Sequence, residues 1–527
     1  MSQDSLTAAE ARDRVAPHMS SLRASAVAAT EAGSPPQPAR GRRSDWLLLL
    51  LLTATSIPLH GYHLGHEDQT VWLPSIKIQL DPSLYPFDAT FFLVQTQLSL
   101  FDELVAFSIH VTHLPLDWAV FLWHLLTIFL VLAACLLLAR WCFARPAAQW
   151  GAVTAVWAAR LMIASGSQIS LMDRYLHPRD LATAAILLAF VAVLDRKPRA
   201  LAWLAFAAAI HPTMAIIGAA HLAFQAWPPR VGVSRAAMAS AMLFAPLLLP
   251  LAAIGSQTNS AWREVLRSRM FLFPLHWPWY EWLGVVVPLG MLVWYSRVAR
   301  RIGRTMLAHV SERGALAGGL GVLGALLITM VPAFERLVPT EPMRVLHMVY
   351  LLWILLGGGL LGEYVLRDRP IRWLLFLVPL CLVFFLVNVW AYPSSPHVEW
   401  PGRLPNNAWV DAFDWARRNT PHNALFALAP DYLRRSGNDL HGFRAFAERS
   451  ALADSVKDWA VAANFPEISF AWRQQTAALS DWYDFKRANF LALKRQFGVT
   501  WLVLERPGVS GLVCPYSNSK LMVCRLD

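Results

Sequence analysis

Trp118–Ala139, WAVFLWHLLTIFLVLAACLLLA, runs without an Asp, Glu, Lys or Arg. At about 1.5 Å of rise per residue, a helix of this length covers a hydrocarbon core about 30 Å thick. A soluble protein breaks its apolar residues into short periodic stripes. Here further long runs follow: Pro146–Ala164, Arg179–Leu194, Ala200–Trp227, Ala236–Ile254, Trp277–Tyr295, Ala315–Val331, Met343–Leu361 and Ile371–Trp390. With a first run from Trp46, the count is ten. The chain of 527 residues, 56% hydrophobic, therefore reads as an α-helical polytopic membrane protein.

The formal charge of +11 does not indicate nucleic acid. Its basic residues are mostly Arg clustered between spans, as the positive-inside rule requires, and no nucleic-acid-binding motif is present. No Cys/His spacing suits zinc, so neither a metal nor another cofactor is expected. Cys135, Cys142 and Cys381 read as small core residues. Residues 1–44, rich in Ala, Ser, Pro and Arg, read as a disordered cytoplasmic tail. Arg40, Arg42 and Arg43 before the first run resemble a signal peptide, but no small-x-small cleavage site follows, which favours an uncleaved span.

Charge sets the topology. With the N-terminus inside, Arg140–Arg145 and Arg196–Arg199 are cytoplasmic. A single crossing by Ala200–Trp227 puts Arg230, Arg235 and the cluster Arg297, Arg300, Arg301, Arg304 and Arg313 outside, against the rule. His211-Pro212 interrupts that run, and proline breaks a helix by removing a donor and clashing with the preceding turn. A hairpin turning there repairs both violations; the alternative is one kinked, tilted helix. Four segments are then external, 60–117, 165–178, 256–276 and 332–342, joined by a soluble domain over 400–527, with the transmembrane domain over 45–392.

The first external segment opens with His60-Gly61-Tyr62-His63-Leu64-Gly65-His66-Glu67-Asp68-Gln69. Two amphipathic stretches follow, Val71–Leu80 and Leu98–Thr112, expected to lie on the bilayer with Trp72, Phe91, Phe92 and Phe101 toward lipid. Asp88, Asp102 and Glu103 read as solvated or capping residues. Asp173-Arg174-Tyr175-Leu176-His177-Pro178-Arg179-Asp180 places two Arg and a His at the external mouth of a span, or forms local pairs Arg174–Asp173 and Arg179–Asp180. Arg344 and His347, three residues apart, are expected on one helix face.

An acidic residue just past the first span, followed by two surface helices, resembles the GT-C superfamily of membrane glycosyltransferases. The run HEDQTVWLPSIKIQLDPSLYPFDATFF (66–92), the pattern R-x-x-HPR at Arg174–Arg179 and Gly442-Phe443-Arg444 are similar to a family of bacterial multi-span proteins of GT-C-like layout. The resemblance implies a polyprenyl-phosphate sugar donor and an external carboxylate acting as general base, by position Glu67 or Asp68. It implies residence in the bacterial inner membrane with a periplasmic C-terminal domain. Arg174, His177, Arg179, Arg344 and His347 are then candidates for the lipid phosphate, and His66, Gln69 and His211 for lining the cavity. A transporter or scaffold binding a lipid-linked or anionic substrate is the alternative, although no internal repeat is visible.

In the C-terminal part, Asn407–Asn419 and Phe485–Phe497 read as helices, and Ala424–Ala429 and Thr500–Glu505 as strands, a small α/β domain. Two strands around Pro515–Lys520 bring Cys514 opposite Cys524 for a disulfide.

Overall fold

A computed structural model describes residues 43–160, 163–227 and 260–526. The expected tail, the basic loop at Arg230–Arg235 and the run Ala236–Ile254 lie outside these residues, except that Arg43 already begins the first helix, Arg43–His60. Among the described residues, five helices are long and apolar enough to cross a membrane: Leu116–Cys142, Trp279–Arg301, Thr305–Met330, Pro342–Leu366 and Pro370–Ala391. The bent pair Thr90–Thr96 and Phe101–Thr112, angled at 95°, makes a sixth if it counts as one broken span. The expected ten is not reached by these alone, because Pro146–Ala158 and Pro178–Leu194 are short.

The helices share two ends. At one, Arg140 pairs with Asp45, the Trp141 indole donates to Asp195, and Arg304 pairs with Glu363. This end gathers Arg140, Arg199, Arg300 and Arg304. Close packing holds it together: a Cβ on Gly151 would sit 2.5 Å from the Gly358 carbonyl oxygen, so the two helices touch backbone to backbone. Arg313, expected in this loop, is instead buried two turns inside Thr305–Met330.

The helix breaks where His211-Pro212 predicts, between Arg199–Ile210 and Pro212–Ala226. Leu100 N–H donates to the Ala209 carbonyl (2.7 Å) and Ser99 Oγ to the Ile210 carbonyl (2.6 Å), which holds the break at the end opposite the Arg clusters. The second arm runs back, since Gln225 Nε2 donates to the Val310 carbonyl, less than two turns from Arg304. Both arms thus meet the basic end, as a hairpin requires.

The amphipathic stretches form helices at Gln69–Leu80 and Phe101–Thr112, but their aromatics point the other way from expectation. Trp72, Phe91, Phe92 and Phe101 are buried in protein, and Phe107 and Val111 take the outward face. An apolar stripe does not distinguish lipid from a protein partner: here Trp72 and Phe101 pack edge to face on each other, and Phe91 and Phe92 meet the C-terminal domain at Arg444 and Val461. Asp88 and Asp102 are also buried, contrary to the solvated reading.

The domain carries a five-stranded sheet in the order β2-β1-β3-β5-β4, with β1 Leu425–Ala427, β2 Ser450–Ala451, β3 Trp501–Glu505, β4 Val513–Ser517 and β5 Leu521–Arg525. β1 runs parallel to β2 and β3, and β5 antiparallel to β3 and β4. The Asn407 side chain caps Ala408–Asn419 by accepting from Trp409 N–H (2.8 Å), and Gly498, at φ 78°, ends Arg487–Phe497. Cys514 and Cys524 form a disulfide across β4 and β5.

The two-ended arrangement is testable with single cysteines. Gly303→Cys, at the basic end, should resist an impermeant thiol reagent in intact cells, whereas Ser480→Cys, in the domain, should react. Equal labelling of both contradicts the arrangement.

Candidate functional site

The loop after the first helix is knitted into three other segments. Gly61 and Gly65 take φ of 84° and 71°, conformations that glycine adopts without strain. Tyr62 N–H donates to the His397 carbonyl (3.2 Å) and Glu399 N–H to the Tyr62 carbonyl (2.8 Å). His63 N–H reaches Arg174, Glu67 N–H reaches Leu440, and Gly442 N–H returns to Gly65 (3.0 Å). Gly442 is required there, because a Cβ would lie 2.6 Å from the Thr70 methyl. The loop backbone therefore fixes where each side chain points.

Asp68 points into a cavity of about 180 Å³ between the hairpin tip, the helix Gln69–Leu80, the turn at Pro339–Arg344 and the domain helix Asp458–Asn464. His177, His211, Glu341, Arg344 and Lys457 share it, against an apolar wall that includes Trp72, Leu98 and Ile210. Asp68 Oδ1 accepts from Lys457 Nζ at 2.7 Å, and its Oδ2 lies 3.2 Å from His177 Nε2. His177 caps the helix Pro178–Leu194, its Nδ1 accepting from Arg179 N–H at 2.9 Å. With Nδ1 as acceptor, the neutral ring carries its proton on Nε2 and donates to Asp68. Burial pushes the Asp68 carboxyl up, but Lys457, His177 and Arg179 outweigh it and hold the group well below the usual carboxylate range. Burial pulls Lys457 down and Asp68 more than reverses it, so both partners favour the ion pair.

Of the residues singled out in sequence, Asp68, His177, His211 and Arg344 come together. Glu67 does not line the cavity, and its carboxylate accepts from the Tyr175 and Tyr392 hydroxyls at 3.4 and 3.3 Å. Arg174 lies over the Tyr392 ring, 4.9 Å from its centroid. Arg179 is buried and pairs with Asp173 at 2.5 Å, while Asp180 accepts from Asp173 N–H, so the alternative of a local Arg179–Asp180 pair gives way to Arg179–Asp173. Arg344 precedes its helix in a 3-10 turn and pairs with Glu341 at 2.7 Å. His347, one turn on, faces the interior 3.4 Å from the Leu171 carbonyl, so the two do not share a face on the cavity. Gln69 is a clamp, accepting from Gly65 N–H (2.7 Å) and donating to the Leu176 carbonyl (3.1 Å).

His66 belongs to a second cluster. His63 Nδ1, His66 Nε2 and His441 Nε2 lie 3.2, 3.3 and 3.0 Å from one oxygen, Glu399 Oε1. His66 Nε2 and His441 Nε2 are 2.8 Å apart. All four residues are buried. Lys457, Glu399 and His441 were missed in sequence because each lies far along the chain from the loop it meets, and Glu341 because its pairing with Arg344 needs the turn between them.

The same loop region is tied to the domain by charge. Arg444 donates to Asp88, and bidentately to Asp458 at 2.8 and 2.9 Å, all three buried. Burial works against the Arg444 charge, but Asp458 and Asp88 raise its pKa well above the usual value. No protein-family model matches the chain, and no curated protein matches it.

Removing one member of a buried charge cluster leaves the others uncompensated. Arg444→Met should therefore lower stability by about 3–5 kcal/mol, read from denaturant unfolding in detergent. The exposed Arg418, paired with Asp414, gives the control: Arg418→Met should cost no more than about 1 kcal/mol. Equal effects contradict the assignment.

Proposed function

We propose that the protein is a membrane glycosyltransferase of GT-C type, moving a sugar from a polyprenyl-phosphate donor to an acceptor hydroxyl at the outer face of a bacterial inner membrane. In this reading the basic end is cytoplasmic, the domain is periplasmic, and the ten apolar runs divide into nine crossings and the hairpin at His211-Pro212.

One observation carries the reading. A carboxylate, Asp68, faces a cavity with two cations, Arg344 and Lys457, at the end of the bundle away from the Arg clusters. Asp68 accepts the proton of the acceptor hydroxyl as that oxygen bonds to the sugar's anomeric carbon. The bond from that carbon to the phosphate oxygen breaks, inverting the configuration, and the polyprenyl phosphate leaves with the electron pair. Arg344 and Lys457 meet its growing negative charge, an interaction stronger in the transition state than in the ground state. His177 holds Asp68 in orientation through its Nε2–H. The apolar wall at Trp72, Leu98 and Ile210 suits the first isoprene units.

The two adjacent acids separate under test. With radiolabelled polyprenyl-phosphate sugars, Asp68→Asn should lower transfer by about 10²–10⁴-fold, the range for loss of a general base. Glu67→Gln should cost far less, because Glu67 faces Tyr175 and Tyr392 instead. Transfer that survives Asp68→Asn, or falls equally in both, overturns the reading.

A further inference from the structure

The cluster of His63, His66, Glu399 and His441 lies beside the proposed catalytic cavity but takes no part in it. Its four facing atoms are three imidazole nitrogens and one carboxylate oxygen, each side chain at most 1% exposed; those of His63, His66 and Glu399 lie within 4.8 Å of one another, and His441 joins through His66 and Glu399. They come from three parts of the chain: the loop after the first helix, the linker that follows Pro370–Ala391, and the domain segment before Phe443.

Two features of the cluster are hard to reconcile with ordinary hydrogen bonding. The first is proton accounting at His441. Its Nδ1 lies 2.6 Å from the Asn438 carbonyl, which only accepts, so Nδ1 carries a proton. In the neutral ring Nε2 then presents a lone pair, and that lone pair faces the Glu399 carboxylate and the ring nitrogen of His66. Two acceptors, the His441 lone pair and Glu399 Oε1, thus face each other 3.0 Å apart in a dry space. A cation at their centre removes the conflict. A ring whose far nitrogen donates to a backbone carbonyl is also the usual support of a metal-ligating histidine.

The second feature is geometry. Ligands about 2.0–2.1 Å from a tetrahedral zinc ion are about 3.3 Å from one another. The three nitrogens stand 3.0–3.3 Å from Glu399 Oε1. His66 and His441 stand 2.8 Å apart and open with a small outward movement of the rings, while His63, within 4.8 Å of His66 and Glu399, has to close in. Glu399 is set up to bind through one oxygen, because its Oε2 is taken by Leu64 N–H at 3.0 Å. Tyr392 packs on the His63 ring, with 4.3 Å between centroids, and closes one side.

We propose that His63 Nδ1, His66 Nε2, His441 Nε2 and Glu399 Oε1 draw together around a zinc-class divalent transition-metal ion. Three nitrogens and an oxygen suit zinc, and four protein ligands leave no open position, which is the pattern of a structural site. The ion clamps the C-terminal domain onto the first external loop two residues before Asp68. This assignment does not depend on the reaction proposed for the cavity.

The test uses the full-length protein in detergent, without a polyhistidine tag, stripped by chelation and titrated with Zn²⁺ alone. One equivalent should bind per chain, with an X-ray absorption shell of nitrogen and oxygen at about 2.0 Å that includes imidazole scattering. Chelation should lower the thermal unfolding midpoint of the wild type. Glu399→Gln preserves shape and the bond to Leu64, and should weaken zinc by more than about tenfold. His441→Ala should abolish stoichiometric uptake. If His441→Ala fails to fold, the wild-type spectrum and Glu399→Gln still decide. No uptake by the wild type, a shell without imidazole, or equal binding by wild type and Glu399→Gln overturns the proposal.

Discussion

The structure depends on one seam, where the loop following the first helix is bonded into the C-terminal domain. A bundle of apolar helices fixes its own interior but leaves its loops to water, and a polar loop gains little by ordering itself alone. Here the loop finds partners 330 to 380 residues away in sequence. The backbone pairs Glu67–Leu440, Gly442–Gly65 and Glu399–Tyr62 hold it, and Lys77 adds a 2.6 Å pair with Glu448. Behind them Arg444 joins Asp88 to Asp458 in the interior. The cavity at Asp68 exists because this seam is closed: Lys457 comes from the domain, Asp68 from the loop and Arg344 from the bundle.

The bundle contributes polarity. Its Arg residues gather at one end and its mixed carboxylate and cationic cavity at the other, where His211 and Pro212 form part of the lining. A proline there ends one helix and starts the next, and the two arms return to the same end. Without that break the hairpin tip could not reach the cavity, and the second arm could not pack near Val310.

What was legible in sequence follows the range of the interactions. The long runs, the break at Pro212, the two domain helices and the pairing of Cys514 with Cys524 are local, and local chemistry wrote them into short windows. Burial of Trp72, Phe91 and Phe101 was misread because periodicity finds an apolar face without naming what covers it. Asp88 looked solvated because its partner Arg444 lies 356 residues on. The same distance hid the histidine cluster: His63 and His66 sit together in the sequence, but Glu399 and His441 become visible as partners only after folding. Of two neighbouring acids, position alone could not say that Asp68 faces the cavity and Glu67 the two tyrosines.

Hydrogen exchange tests the seam most directly, because its amides report whether the domain stays docked. The account predicts that Glu67, Glu399 and Gly442 exchange together, and as slowly as the central strand β3, since all open only when the domain unfolds from the loop. Exchange of these three amides within seconds, while β3 remains protected, would mean a domain that folds independently and lifts away, and would contradict the account.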